Sequence, residues 1–253
     1  MPSGEECLHV PTLLDKCRAG AFNRNVISTV YSLHNSGEDR RQMPLALGRL
    51  FLFGCALCFL LLGGCAVTPY YNITDFNTVV VDAGHGGRDS GASTRGSRSR
   101  LLEKDLALDV SRRVAVKLRA AGFRTIMTRS DDRFIPLDER ADISNAQSKS
   151  VFVAIHFNDT RRRSIHGAET YHNGRGTWQL AARIERYLAA MPCGANRGVH
   201  TANFRVLRKS RGPALLVECG FLSNPDEAAR CANAVWRDRV ADCIARGIIE
   251  QRR

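Results

Sequence analysis

Three β-branched residues, Val79, Val80 and Val81, run directly into Asp82-Ala83-Gly84-His85-Gly86-Gly87, and this junction constrains the fold more than any other stretch. Side chains of that kind suit a pleated surface covered on both sides, so the run reads as a buried strand. The glycines that follow permit a tight backbone turn and leave the imidazole of His85 open instead of packed among neighbours. A single histidine after a strand is ordinarily structural. Here two later segments repeat the arrangement: Val151-Phe152-Val153-Ala154-Ile155 runs into His156, and Ala214-Leu215-Leu216-Val217 runs into Glu218. In an open α/β sheet, ligands gather beyond the carboxyl ends of the strands. Two imidazoles and a carboxylate delivered to such ends form one candidate site, and Glu103, at the start of a helix, offers a further carboxylate.

Positions 102, 106, 110, 114 and 118 are Leu, Leu, Val, Val and Leu, one apolar helical stripe that ends at Gly122. Glu103 lies in the first turn of this helix, where the helix dipole already favours an acid. On local grounds it reads as a surface charge, and only the company of His85 and His156 marks it. Residues 123–128 read as a second strand, giving a βαβ unit with parallel pairing. Further on, residues 137–146 read as a helix, 167–171 as a strand, 177–190 as a helix and 205–207 as a short strand. Asn224-Pro225-Asp226 opens another helix, and residues 232–251 form the last. Residues 88–100, rich in Gly, Ser and Arg, read as an exposed loop, and Arg161-Arg162-Arg163 as a solvated charge run bordering the site. The expected fold is α/β: a mostly parallel, twisted sheet of about six strands with helices on both faces.

Together these stretches resemble the zinc-dependent N-acetylmuramoyl-L-alanine amidases (amidase type 3), cell-wall amidases that act on peptidoglycan. The matching pieces are DAGHGG at 82–87, Glu103 in EKD, Leu137-Asp138-Glu139-Arg140 with Asn145, His156 in AIHFN and Glu218 in VECGFLSNP, in the same order over residues 78–251. By this likeness His85, Glu103 and His156 would hold a zinc ion, and Glu218 would be the catalytic carboxylate. From the residues alone the two carboxylates are interchangeable, and the resemblance decides between them. Phe157 stands where the family usually has a small residue and is expected to narrow the pocket rim. Zinc with three protein ligands leaves a fourth position for water, whose pKa falls toward about 7. A neighbouring carboxylate would then move a proton from that water to the leaving amine.

The resemblance thus implies hydrolysis of the amide between N-acetylmuramic acid and L-alanine in peptidoglycan. A zinc peptidase acting on the stem peptide is the alternative enzyme, and a non-catalytic wall-binding module the alternative outside enzymes. Loss of any of the four groups would favour the module, and all four are present. His166, His172 and His200 read as surface or supporting residues. Some relatives carry an inserted helix that plugs the zinc until a partner removes it. The segment from His156 to Glu218 holds no helix spare for that role, so a monomer without an obligatory activator protein is expected.

The formal net charge is +12. Residues 1–65 hold six Lys/Arg and five Asp/Glu, which leaves 31 against 20, or +11, for the remainder. Such a balance favours anionic partners. No zinc finger, RNA-binding motif or aromatic-interleaved basic run is present, so nucleic acid is not expected. Residues 1–42 lack periodicity and read as an extension ahead of a true start at Met43, or as disorder. Arg49 then precedes an apolar run over 50–62, shorter than the roughly 20 residues of a membrane span. Leu62-Gly63-Gly64-Cys65 resembles a bacterial lipobox. Residues 43–65 are therefore expected to be a lipoprotein signal peptide, with Cys65 lipidated, 66–76 a linker and 77–253 the zinc amidase domain. The alternative is a short uncleaved anchor. Either way the domain would face the wall from a membrane, and Ala66 in place of Asp after the cysteine points to the periplasmic side of an outer membrane. Four of the nine cysteines follow Cys65, with no C-x-x-C pair among them, which speaks against a cysteine zinc site. Cys219 reads as a buried free thiol.

Overall fold

Alternation along the strands decides which side of the sheet each residue serves. A computed structural model describes residues 73–94, 100–174, 176–192 and 194–252. The stretches read as a leader and a lipobox, Cys65 among them, and Cys193 lie outside the described residues. The chain runs β1 (Thr78–Ala83), α1 (Glu103–Ala120), β2 (Arg124–Met127), α2 (Leu137–Asn145), β3 (Ser150–Asn158), β4 (Ala168–His172), α3 (Trp178–Ala189), β5 (Asn196–Thr201), α4 (Arg205–Lys209), β6 (Ala214–Phe221), α5 (Pro225–Ala232) and α6 (Ala234–Arg252). The sheet order is β2-β1-β3-β6-β4-β5, and only the β4–β6 pair is antiparallel.

Odd-numbered residues of β1, β3 and β6 (Val79, Val81, Val151, Val153, Ile155, Leu215 and Val217) enter the main core under α1, α3 and α6. The stripe Leu106, Val110, Val114 and Leu118 of α1 joins them, and burying each such side chain is worth about 1.5–3 kcal/mol. Even-numbered residues face a smaller cluster in which Val80, Phe152, Ala154 and Leu216 meet Val206 and Leu207 of α4 and Ile143 of α2. Asp82, His156 and Glu218 fall on this second, more thinly covered side. Helices therefore occupy both faces, as expected. Among the described residues no helix is long and apolar enough to cross a membrane.

After β1 the chain first steps to β2 on one side and later returns through β3 on the other. That reversal opens a crevice beyond the carboxyl ends of β1 and β3, where His85 and His156 stand. Several expectations need correction. Residues 205–207 belong to helix α4, not to a strand, because Arg208 and Ser210 donate backbone N–H groups to Phe204 and Val206. The edge strand is β5, whose side chains are exposed or half-buried, so it carries no apolar alternation. β6 does not end at Glu218 but continues to Phe221. Cys219 and Cys231 are buried free thiols and Cys243 a half-buried one.

Candidate metal centre

The loop after β1 is built to present His85. His85 itself has φ 58, followed by Gly86 at 120 and Gly87 at 59, so three consecutive residues turn through left-handed backbone. Two buried guanidiniums hold this turn by its carbonyls. Arg129 donates from Nε to Ala83 O (2.9 Å) and from Nη2 to Gly84 O (2.6 Å) and Lys104 O (2.8 Å). Arg140 donates from Nη1 to Ala83 O (2.6 Å), from Nη2 to His85 O (2.6 Å), and from Nη1 to Asp82 Oδ1 (2.8 Å). Arg129 and Arg140 are 0% and 2% exposed. Such burial is costly for a cation, and the full set of acceptors offsets it. Because Arg129 also reaches the carbonyl of Lys104, it ties the His85 turn to the start of α1.

Glu103 does not sit on the surface; it is 4% exposed. The segment at 88–94 folds back on α1 instead of standing free. Glu103 N and Lys104 N donate to Ala92 O (2.8 Å) and Ser90 O (3.2 Å), which satisfies the first amides of the helix. Ala92 N in turn donates to Glu103 Oε2 (2.8 Å). The other oxygen, Oε1, accepts from His156 Nδ1 (2.8 Å) and Phe157 N (3.0 Å) and lies 3.0 Å from His85 Nε2. His85 Nδ1 donates to Asp89 Oδ2 (2.9 Å), so its Nε2 is the nitrogen turned to the centre. The imidazole centroids are 4.9 Å apart in an edge-to-face arrangement. No side chain fits at Gly84, where a Cβ would stand 2.4 Å from the His156 ring.

His85, Glu103 and His156 thus bring one ligating atom each to within 4.8 Å of one another. Burial resists ionisation of Glu103, but hydrogen bonds from His156 and His85 outweigh it and hold the carboxyl well below the usual range. Burial likewise works against charge on both imidazoles, and the contact with Glu103 raises them nonetheless. Two nitrogens and an oxygen suit a divalent ion such as zinc. The outer contacts, Asp89 on His85 and Ala92 N on Glu103, are of the kind that orient metal ligands.

Glu218 is the register partner of His156 across β3 and β6 and stays outside this trio. Burial pushes its carboxyl up to about 7; the charge of His156 opposes the shift, and those of Glu103 and Glu169 add to it. Glu169 faces Glu218 from β4, where Arg197, Tyr171 (2.6 Å) and Asn158 (3.4 Å) donate to it. Two buried acceptors, Glu218 Oε2 and Asp82 Oδ2, have no hydrogen-bond partner, and both side chains line a cleft of about 670 Å³ above the trio.

Four of the residues marked in the sequence come together here, and some readings change. Phe157 is among the residues lining the cleft, with its side chain buried against the main core and its amide serving Glu103. His166 and His200 are exposed, whereas His172 is buried and accepts from Gly174 N. Arg129, Arg140 and Asp89 escaped sequence reasoning as parts of the site. Arg140 did stand within a family-like stretch, but an arginine there reads as a surface charge.

A sequence model of the family described as N-acetylmuramoyl-L-alanine amidase matches residues 79–250. The chain belongs to that amidase family. It is 37% identical over 176 residues to N-acetylmuramoyl-L-alanine amidase LytC of Bacillus subtilis strain 168, a match covering 68% of this chain and 35% of LytC. Among solved structures it resembles N-acetylmuramoyl-L-alanine amidase AmiC2 of Nostoc punctiforme with a TM-score of 0.65 and 38% identity, over 68% of this chain and 95% of that one. The CwlD amidase of Clostridioides difficile, solved in complex with the GerS lipoprotein, superposes with a TM-score of 0.63 at 26% identity, over 69% and 98% of the two chains.

Proposed function

We propose that this chain hydrolyses the amide between the lactyl group of N-acetylmuramic acid and L-alanine in peptidoglycan, with zinc held by His85, Glu103 and His156. The observation that carries this reading is the convergence of two imidazoles and a carboxylate beside the half-buried Glu218, whose buried Oε2 is unpaired. When bound, zinc supplies a Lewis acid for the scissile carbonyl and lowers the pKa of water. Glu103 and the two imidazoles bind and orient that ion. Glu218 takes a proton from the attacking water and hands it to the amine nitrogen as the carbon–nitrogen bond breaks. The products are a lactyl carboxylate and a stem peptide with a free L-alanine amine. A carboxyl near 7 is suited to both halves of that transfer. The cleft's Asp82 and Glu218 oxygens accept from whatever polar hydrogens enter with substrate.

Digesting purified peptidoglycan and weighing the fragments tests this. Intact stems with a free L-alanine amine are expected; shortened stems would mean a stem-peptide peptidase, and no cleavage a binding module. The reading includes action without an activator. Glu185, the only acid of α3, is 2% exposed and accepts from Thr170, so among the described residues that helix is committed to the core and offers no plug. Zinc-loaded protein that stays inert until a partner is added would overturn that part. We further propose anchoring through a lipid on Cys65, supported by the Leu62-Gly63-Gly64-Cys65 stretch, which would place the domain on the periplasmic side of a membrane. Cys65→Ala should then shift the protein out of the membrane fraction.

A further inference from the structure

Ile73, Phe76 and Asn77 enter the fold at the amino ends of the strands, opposite the metal centre. Ile73 is buried in the main core and its carbonyl accepts from Gln251 Nε2 (2.7 Å). Phe76 stacks on Phe123 at 5.6 Å, and Asn77 N donates to Lys149 O (3.1 Å). Thr78 then pairs with Arg124 and Ser150, the first residues of β2 and β3. The metal centre stands roughly 20 Å away, the rise of β3 from Ser150 to His156. The amino end is basic, with Arg119, Arg124, Lys149, Arg211 and Arg252 all exposed there. Arg119 Nη2 donates to Thr125 O (3.2 Å), and Arg252 Nη2 to Ala121 O (3.0 Å). Arg211, just ahead of β6, is tied by its amide to Asn145 Oδ1 (2.7 Å). Three acids stand near them: Asp75 is paired with Lys149 (3.0 Å), Glu250 with Arg186 (2.7 Å), and Asp142 lies on the last turn of α2. Arg119, Arg124, Arg211 and Arg252 have no carboxylate partner among the described residues.

Resting on the proposed lipid at Cys65, we propose that this amino end lies on an anionic phospholipid surface, with Arg119, Arg124, Arg211 and Arg252 engaging headgroup phosphates. Residues 66–72 are all that separate Cys65 from Ile73, a span of at most roughly 29 Å when fully extended. A lipid on Cys65 therefore keeps this end of the sheet within reach of the bilayer. Forked guanidinium donors match phosphate oxygens, and each basic group near an anionic membrane adds attraction that fades within a Debye length. The site's end is also basic, at the exposed Arg161, Arg162 and Arg163, but the chain does not enter there. Seated on its amino end, the domain turns the cleft away from the membrane, and substrate reaches His85, Glu103 and His156 from the far side.

Vesicle sedimentation of the full chain carrying Cys65→Ala, so that no lipid contributes, tests this. More protein is expected on vesicles of phosphatidylcholine mixed with phosphatidylglycerol than on phosphatidylcholine alone, and the excess should fall as salt rises. Arg124→Gln and Arg211→Gln should each weaken binding to the anionic vesicles by about 5-fold and leave binding to the neutral ones unchanged. Arg161→Gln combined with Arg162→Gln, at the far end, should change neither. All four positions are exposed, and an unchanged urea midpoint shows that each variant is folded. Equal binding to both kinds of vesicle, no effect of Arg124→Gln and Arg211→Gln, or an equal loss in the Arg161 and Arg162 variant would overturn the proposal. So would vesicle binding that survives in the two single variants while binding to soluble polyphosphate is lost, which would give this face to a soluble polyanion. Wild-type protein whose Cys65 carries no lipid by mass would sink the anchoring reading itself, a result separate from any of these.

Discussion

Glu218 and His156 are register partners on adjacent strands, yet Glu103, from a helix start 53 residues before His156, is the carboxylate that touches both imidazoles. This separates two acids that look equivalent on paper. Glu103 is hydrogen-bonded through both oxygens; Glu218 is half-buried, with its buried Oε2 unpaired.

The first expectation follows from that contrast. Glu218→Gln keeps the shape of the side chain and removes its capacity to carry a proton. Hydrolysis should fall by about 10²-fold or more while bound metal per chain stays at the wild-type level. Metal lost together with activity would make Glu218 a ligand and give proton transfer to Glu103.

Arg140 and Asp82 form an ion pair whose side chains are 2% and 1% exposed. Replacing Arg140 with Gln strands a buried carboxylate and frees the carbonyls of Ala83 and His85. A loss of about 3–5 kcal/mol in urea denaturation is expected, because breaking one side of a buried pair leaves the other uncompensated. The exposed Arg186–Glu250 pair gives the comparison: Arg186→Gln should cost less than about 1 kcal/mol. Similar losses at both sites would show that Arg140 is not holding the turn.

Glu185 provides a pH signature remote from the site. Burial pushes its carboxyl up to about 7 from an ordinary 4.5, against the Thr170 hydroxyl that donates to it. Between those values the native chain binds a proton that the unfolded chain has released. The associated stability is complete below about pH 4.5 and is lost as pH rises through about 7. Glu185→Gln stays neutral throughout. Its stability relative to wild type should therefore climb over that window, by on the order of 1–3 kcal/mol, and then level off. Urea midpoints whose difference does not change between pH 4 and 8 would contradict the assignment.

Much of this architecture is legible in the chain. β-branched runs announce β1 and β3, the spacing of four in α1 gives its buried stripe, and Asn224-Pro225 caps α5, where Asn224 Oδ1 accepts from Asp226 N and Glu227 N. Strand parity then puts Asp82, His156 and Glu218 on one face. What stays hidden depends on tertiary partners. β5 is a polar edge strand held by its pairing with β4 and by packing against α3, and no periodicity reports that. Arg129 and Arg140 are buried because the left-handed turn at His85 presents carbonyls that need donors, a demand invisible until the turn exists. The segment at 88–94 has loop composition, yet its amides and carbonyls close onto Glu103.

In the proposed amidase, His85, Glu103 and His156 together hold one catalytic metal ion. Zinc content per chain, measured after dialysis in wild type, His85→Ala and His156→Ala, with wall digestion followed in the same samples, tests it most directly. One zinc per wild-type chain is predicted, with occupancy and hydrolysis falling together in both variants. Full zinc occupancy in His85→Ala and His156→Ala would contradict it.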